Sequence, residues 1–155
     1  MSVAFRRESD EEHLEPRFEL PIPSGPNLVT PRGLSLTHDR VAALETALAT
    51  AEGEARTAIA RDLRYWHTRA ITAVLAPPPP SDEVGFGSTV RVVIKGQERS
   101  FTIVGDDEAD PAAGLVAWSA PLARAVTGAM AGEQVAFGDD PAGVEILDVE
   151  APAEA

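Results

Sequence analysis

Cysteine is absent from all 155 residues, which removes disulfides, thiolate nucleophiles and thiolate metal ligands together. Histidine is scarce: His13, His38 and His67 are scattered, without metal-ligand spacing. A metal would therefore need carboxylate ligands. No apolar run approaches the roughly 18 residues that cross a bilayer, and the start Met1-Ser2-Val3-Ala4-Phe5-Arg6-Arg7 lacks the apolar block of a secretion signal. A cytoplasmic location and no membrane partner are the expectation. Positive charge is also short, with 13 basic against 25 acidic residues and a formal charge of -12. Binding bare duplex DNA requires a clustered basic face, so sequence-specific DNA binding is not expected and a protein partner is.

What is present fits one domain or two small ones, since 44% apolar and 25% charged residues are ordinary for a globular chain. The charge is uneven. Residues 30–76 hold six arginines against five acids, a net +1, whereas residues 86–155 hold four cations against twelve acids, a net -8. A near-neutral arm beside an acidic body suits docking on a basic protein surface. It also reads as an acidic surface kept for solubility.

Residues 1–29 are polar, acidic and proline-bearing, with Pro16, Pro21, Pro23 and Pro26, and predict an extended or disordered leader. Thr30-Pro31 marks a helix start, with Thr30 as N-cap and proline at the first helical position, where a missing N–H costs nothing. Leu34, Val41 and Leu48 recur every seven residues, with Leu44 and Ala51 as a second seam, the a/d pattern of paired helices. Glu52-Gly53-Glu54 interrupts the run at a glycine. Ile59, Leu63, Trp66, Ala70 and Ala73 then step by three and four, leaving Arg56, Arg61, Arg64 and Arg69 mostly outside. Two helices joined by so short a turn run antiparallel, giving a helical hairpin over residues 30–76.

Pro77 to Pro80 should end the second helix and, over residues 77–85, form a stiff linker. Beyond it the apolar period falls to two. Thr89 to Ile94 predicts a strand, Lys95-Gly96-Gln97 a turn and Glu98 to Val104 the hairpin partner. Further strands are expected at Leu115 to Trp118, Glu133 to Phe137 and Val144 to Val149. A short helix carrying Pro121, Leu122 and Val126, capped by Ser119 and closed by Gly128, should lie among them. Phe101 and Trp118 are core residues or pocket walls, because the cations that accompany a base-stacking platform are missing. The fold class is α+β, an N-terminal antiparallel coiled-coil hairpin followed by a small antiparallel β domain with one short helix over residues 86–150 and a tail at 151–155.

Three segments follow one another in this body: Phe86-Gly87-Ser88-Thr89-Val90, then Ile103-Val104-Gly105-Asp106-Asp107-Glu108-Ala109-Asp110, then Ser119-Ala120-Pro121-Leu122-Ala123-Arg124-Ala125. The series resembles the C-terminal domain of the bacterial Gre transcript-cleavage factors, the GreA/GreB family. Pro26-Asn27-Leu28-Val29-Thr30-Pro31-Arg32-Gly33-Leu34 is similar to the segment that opens their hairpin, so the resemblance covers residues 26–150. It implies an FKBP-like C-terminal domain that binds the core RNA polymerase at the rim of its secondary channel, and a hairpin that enters the channel. It implies a transcription elongation factor acting as a monomer, no enzyme itself, which at most stimulates RNA cleavage by polymerase. No cofactor of its own is implied, only a magnesium shared with the polymerase active site. Two carboxylates brought there could hold a second metal and its water.

By position, Glu52 and Glu54 would be those hairpin-tip acids. The chain departs from the family here: its turn has two glutamates around a glycine where the family offers an aspartate and a glutamate in a longer loop. The arm is also shorter, about 30 Å for twenty residues at about 1.5 Å each. Glu52 and Glu54 equally read as exposed turn acids, Glu54 being favoured by the helix dipole. For polymerase binding the resemblance points to Ser119, Pro121, Leu122 and Arg124, with Ser119 and Ala120 departing from the family's Asn or Asp followed by Ser, and to Asp106, Asp107 and Glu108. The acidic run lacks calcium-loop spacing and reads more simply as surface structure or partner contact. Arg56, Arg61 and Arg64 are candidates for contact with channel walls or RNA, Arg61 and Arg64 sharing one face, or else are a solvated face paired with Asp62 and Glu54.

Three other readings remain open. One is a non-cleaving or inhibitory short-hairpin regulator of the same superfamily, like the regulators of nucleoside diphosphate kinase. Another, a prolyl isomerase or chaperone, rests on fold analogy alone, and five phenylalanines and one tyrosine are few for such a pocket. Direct DNA binding is opposed by the charge.

Overall fold

The computed structural model describes residues 19–152. They divide into two compact units: one holds Ser35–Thr72 with the described residues before Pro26, the other Pro26–Leu34 with the chain from Ala73 onward. The expected leader 1–29 is outside the described residues up to position 18, as is the end of the tail from 153.

The helical unit is built from α1, Pro31–Thr50, apart from its first turn up to Leu34, and from α2, Gly53–Thr72. Thr30 caps α1 as expected, its Oγ1 accepting from the Gly33 amide at 3.0 Å, which satisfies one of the donors every helix start leaves unpaired. The seam is formed as the heptads require. Leu34, Val41, Leu44 and Leu48 are half-buried, Leu63 is buried and Ile59 and Trp66 are half-buried. Thr37, at the position between Leu34 and Val41, is only 3% exposed. Polar contacts reinforce the pairing: Arg40 lies 5.3 Å from the Trp66 ring centroid and His67 Nε2 lies 3.4 Å from Glu45 Oε2. The link between helices is only Ala51 and Glu52, followed by Gly53 at φ +63°, a left-handed conformation that glycine adopts without strain.

The sheet unit differs from the sequence expectation at its start. Leu28–Val29 forms a strand, β1, parallel to β2 at Val74–Leu75. Part of the expected leader is thus regular structure. The second helix also ends at Thr72, before the prolines; the Val74 amide donates to the Asn27 carbonyl at 2.9 Å, so backbone pairing with β1 replaces helix continuation there.

The main sheet contains β3 (Thr89–Ile94), β4 (Gln97–Val104), β5 (Leu115–Ala117), β6 (Gln134–Phe137) and β7 (Asp140–Glu150), in the order β5-β4-β3-β7-β6. The β3–β4 hairpin turns on two residues, Lys95 at φ +53° and Gly96 at φ +77°, since Ile94 pairs with Gln97; Gln97 opens the strand instead of closing a longer turn. Two left-handed residues match the natural twist of paired strands. Within this sheet the strand pairs are antiparallel except β4–β5, which is parallel. Alternation places Val90, Val92, Phe101, Ile103, Val144 and Ile146 on one face, where α3, Pro121–Val126, packs Ala123 and Val126 against them. Phe101 belongs to this core and Trp118 packs on it. Each fully buried aliphatic side chain there contributes about 1.5–3 kcal/mol.

Candidate functional site

The site follows from the one parallel pair of the main sheet. β4 and β5 run side by side with Val104 opposite Ala117, so the chain leaves both strands at the same end of the sheet. Two residues further on, Asp106 and Ser119 meet: Ser119 Oγ donates to Asp106 Oδ1. Ser119 is therefore not the cap of α3. Ala120 holds that position, with extended backbone and no side-chain cap bond, because a turn from the Ala120 amide to the Ala117 carbonyl, 2.9 Å, sets the helix start one residue later. Pro121 begins the helix, as its fixed φ and missing donor favour.

Around this contact Ser119, Pro121 and Arg124 are exposed, whereas Asp106 and Asp107 are half-buried. The Arg124 guanidinium makes no hydrogen bond or ion pair among the described residues. Leu122 is half-buried and packs against the core, so it holds α3 to the sheet more than it faces outward. The exposed group offers a rigid proline, an anchored hydroxyl–carboxylate pair and an unused guanidinium, which suits a protein surface with complementary acceptors.

Glu108 is placed differently from its neighbours in the acidic run. It is 7% exposed, and its carboxylate accepts from the Thr30 hydroxyl at 2.6 Å, the Thr30 amide at 3.1 Å and the Gly105 amide at 3.2 Å. It is an internal clasp joining the start of α1 to the turn after β4, and not a surface contact. Pairing and hydrogen bonding of this kind make a buried carboxylate tolerable. The local sequence held a signal for it: a glutamate three residues after a turn-opening residue reaches back to that residue's amide, as in a capping box.

In the helical unit Glu52 and Glu54 are exposed, and neither carboxylate has a partner among the described residues. Glu54 lies in the first turn of α2, where the helix dipole favours a negative charge. Among the described residues no group of three or more His, Asp or Glu side chains could hold a metal; two free tip carboxylates could add ligands only to a metal held by another molecule. Arg56 donates to the Leu48 carbonyl at 2.7 Å, occupying one of the carbonyls a helix end leaves open. Arg64 Nε donates to Glu19 Oε1 at 2.8 Å. That bond, ahead of the Coulomb attraction, holds Glu19 below the usual glutamate range and Arg64 above its ordinary value. Arg61 adds to the field on Glu19, so Arg61 and Arg64 do share a face, with Arg61 also 3.4 Å from Asp62.

The match to a known family model falls within the sheet unit. Residues 79–151 match the family model described as "Transcription elongation factor, GreA/GreB, C-term". The chain is 36% identical over 92 residues to the transcription elongation factor GreA of Vibrio parahaemolyticus, a stretch covering 58% of this chain and 58% of that protein. It is 37% identical over 99 residues to the transcription elongation factor GreB of Neisseria meningitidis, covering 59% and 60%. The match thus spans a little over half the length of these relatives. A solved prokaryotic transcription elongation factor GreA/GreB from Nitrosomonas europaea aligns with 82% of this chain and 99% of its own at 21% identity and a TM-score of 0.39, too loose a superposition to carry an argument. Residues 79–151 are thus similar to the C-terminal domain of GreA/GreB elongation factors. No helix among the described residues is long and apolar enough to cross a membrane.

Proposed function

We propose that this chain is a transcription elongation factor that binds core RNA polymerase through its sheet unit and modulates elongation, pausing or backtracking, with the helical hairpin entering the secondary channel. The observation that carries the proposal is the match of residues 79–151 to the GreA/GreB C-terminal family. In this reading Ser119, Pro121 and Arg124 dock on polymerase while Asp106 fixes the loop that presents them. The protein works as a monomer and is no enzyme itself.

Glu52 and Glu54 are the tip acids of this proposal. A magnesium shared with polymerase would supply an activated water and stabilise the leaving oxygen; the chain's own part is to present two carboxylates, Glu52 on the link and Glu54 in the first turn of α2. A second reading, a non-cleaving regulator that occupies the channel, is favoured by the tip itself. It has no aspartate, and each helix is 20 residues long, a reach of about 30 Å.

One pair of assays tests both readings. Purified chain is titrated into core polymerase, and backtracked elongation complexes are then scored for transcript cleavage. Binding with cleavage that is lost in Glu52→Ala/Glu54→Ala supports the first; binding without cleavage supports the second. Failure to bind at low ionic strength overturns both.

A further inference from the structure

The sheet has a second face that the polymerase reading leaves unused. Alternation puts the core on the α3 side, so Thr89, Thr102 and Leu115 point the other way, and the register sets them in one row: Thr89 opposite Thr102, and Thr102 opposite Leu115. The two threonine hydroxyls bond each other at 2.8 Å, which leaves the row mostly methyl and aliphatic surface. This row is the floor of a groove of about 870 Å³, within the size of small-molecule sites. Its walls are mostly apolar and include Phe86 and the prolines Pro31, Pro78, Pro79 and Pro152, whose stiff rings resist collapse into the space.

Two charged groups line the groove, Arg32 and Glu108, and they are not equivalent. The Glu108 side chain is 3% exposed, and its oxygens already accept three hydrogen bonds from Thr30 and Gly105. The Arg32 side chain is 63% exposed, lies 3.8 Å from Glu108 Oε1 and makes no hydrogen bond among the described residues. A guanidinium carries five donors in a planar fork matched to a carboxylate. The groove therefore presents an apolar trough, one set of available cationic donors and a carboxylate already occupied.

We propose that this groove is a binding site for a small amphipathic carboxylate, an unbranched medium-chain acid whose tail lies over the Thr89–Thr102–Leu115 row and whose head pairs with Arg32. The site shares no residue with the Ser119–Arg124 loop and does not depend on polymerase binding.

The test titrates the full chain with sodium decanoate and follows backbone amide shifts. Saturable shifts centred on Thr89, Thr102 and Leu115 are expected, with decanol, which has the same tail without the charge, binding more weakly. Arg32→Gln should weaken decanoate about tenfold, the order of one charge-assisted hydrogen bond, and leave decanol unchanged. Ala113→Trp, at an exposed groove position, should block both ligands. Absence of saturable shifts, shifts centred elsewhere, or decanoate binding unaffected by Arg32→Gln would overturn the proposal.

Discussion

The Ser119 hydroxyl donates to the Asp106 carboxylate across 13 residues of sequence, joining the turn after β4 to the approach of α3. Both residues are two beyond a paired strand end, Val104 and Ala117, so the parallel pair supplies the proximity and the side chains only complete it. An exposed hydrogen bond of this type contributes little to folding, about 0.5–1.5 kcal/mol. Ser119→Ala and Asp106→Asn should therefore leave the unfolding midpoint nearly unchanged while weakening polymerase binding severalfold. Titration against core polymerase, alongside a thermal melt, separates the two effects. Equal loss of stability and binding would place the pair in the fold and not in the docking surface.

Replacing Glu108 has the opposite signature. Glu108→Ala leaves the Thr30 hydroxyl, the Thr30 amide and the Gly105 amide without their common acceptor. Loss of a buried charged acceptor costs about 2–4 kcal/mol. Urea unfolding should show the midpoint falling accordingly, and Glu108→Gln, which keeps one acceptor oxygen, should lose less.

Gly33 carries a related constraint. A Cβ added there would lie 2.2 Å from Glu108 Oε2, so Gly33→Ala must push the clasp aside even though alanine is the better helix former. The expected result is destabilisation of about 1–3 kcal/mol, the usual cost of overpacking. In the Glu108→Ala background the same substitution should cost much less, and a double-mutant cycle reads that coupling.

The Glu19–Arg64 pair predicts a pH dependence. The Arg64 hydrogen bond lowers the Glu19 pKa, so the contact is fully present above the range of an unfolded glutamate and is lost as pH falls through the lowered folded value. A carboxyl titration followed by NMR should place the Glu19 midpoint below that of an ordinary glutamate, and Arg64→Gln should return it to the usual range. Both groups are solvent-exposed, so the effect should shrink as salt is raised.

Much of this fold was legible because period carries it. The β3 bounds Thr89–Ile94 follow from the period-two placing of Val90, Val92 and Ile94, and the α1 start at Pro31 from Thr30 and proline chemistry. The parts that were not legible depend on partners distant in sequence. Leu28–Val29 is too short to show a period and becomes a strand only because Val74–Leu75 lies beside it. The acidic run 106–108 reads as uniform surface, yet Glu108 turns inward because Thr30 brings two donors to it. Ser119 looks like a helix cap until the parallel strands bring Asp106 within reach. At the hairpin tip the acids were visible, whereas the use of Arg56 to close α1 through Leu48 required the turn's three-dimensional path.

The sheet's two margins are β5, with three residues, and β6, with four. Exposed strand margins are templates on which further chains can add, and shortness is one of the ways proteins blunt them. Both marginal strands are blunted in this way, and an added strand seated on β5 or β6 would find only three or four residues to pair with.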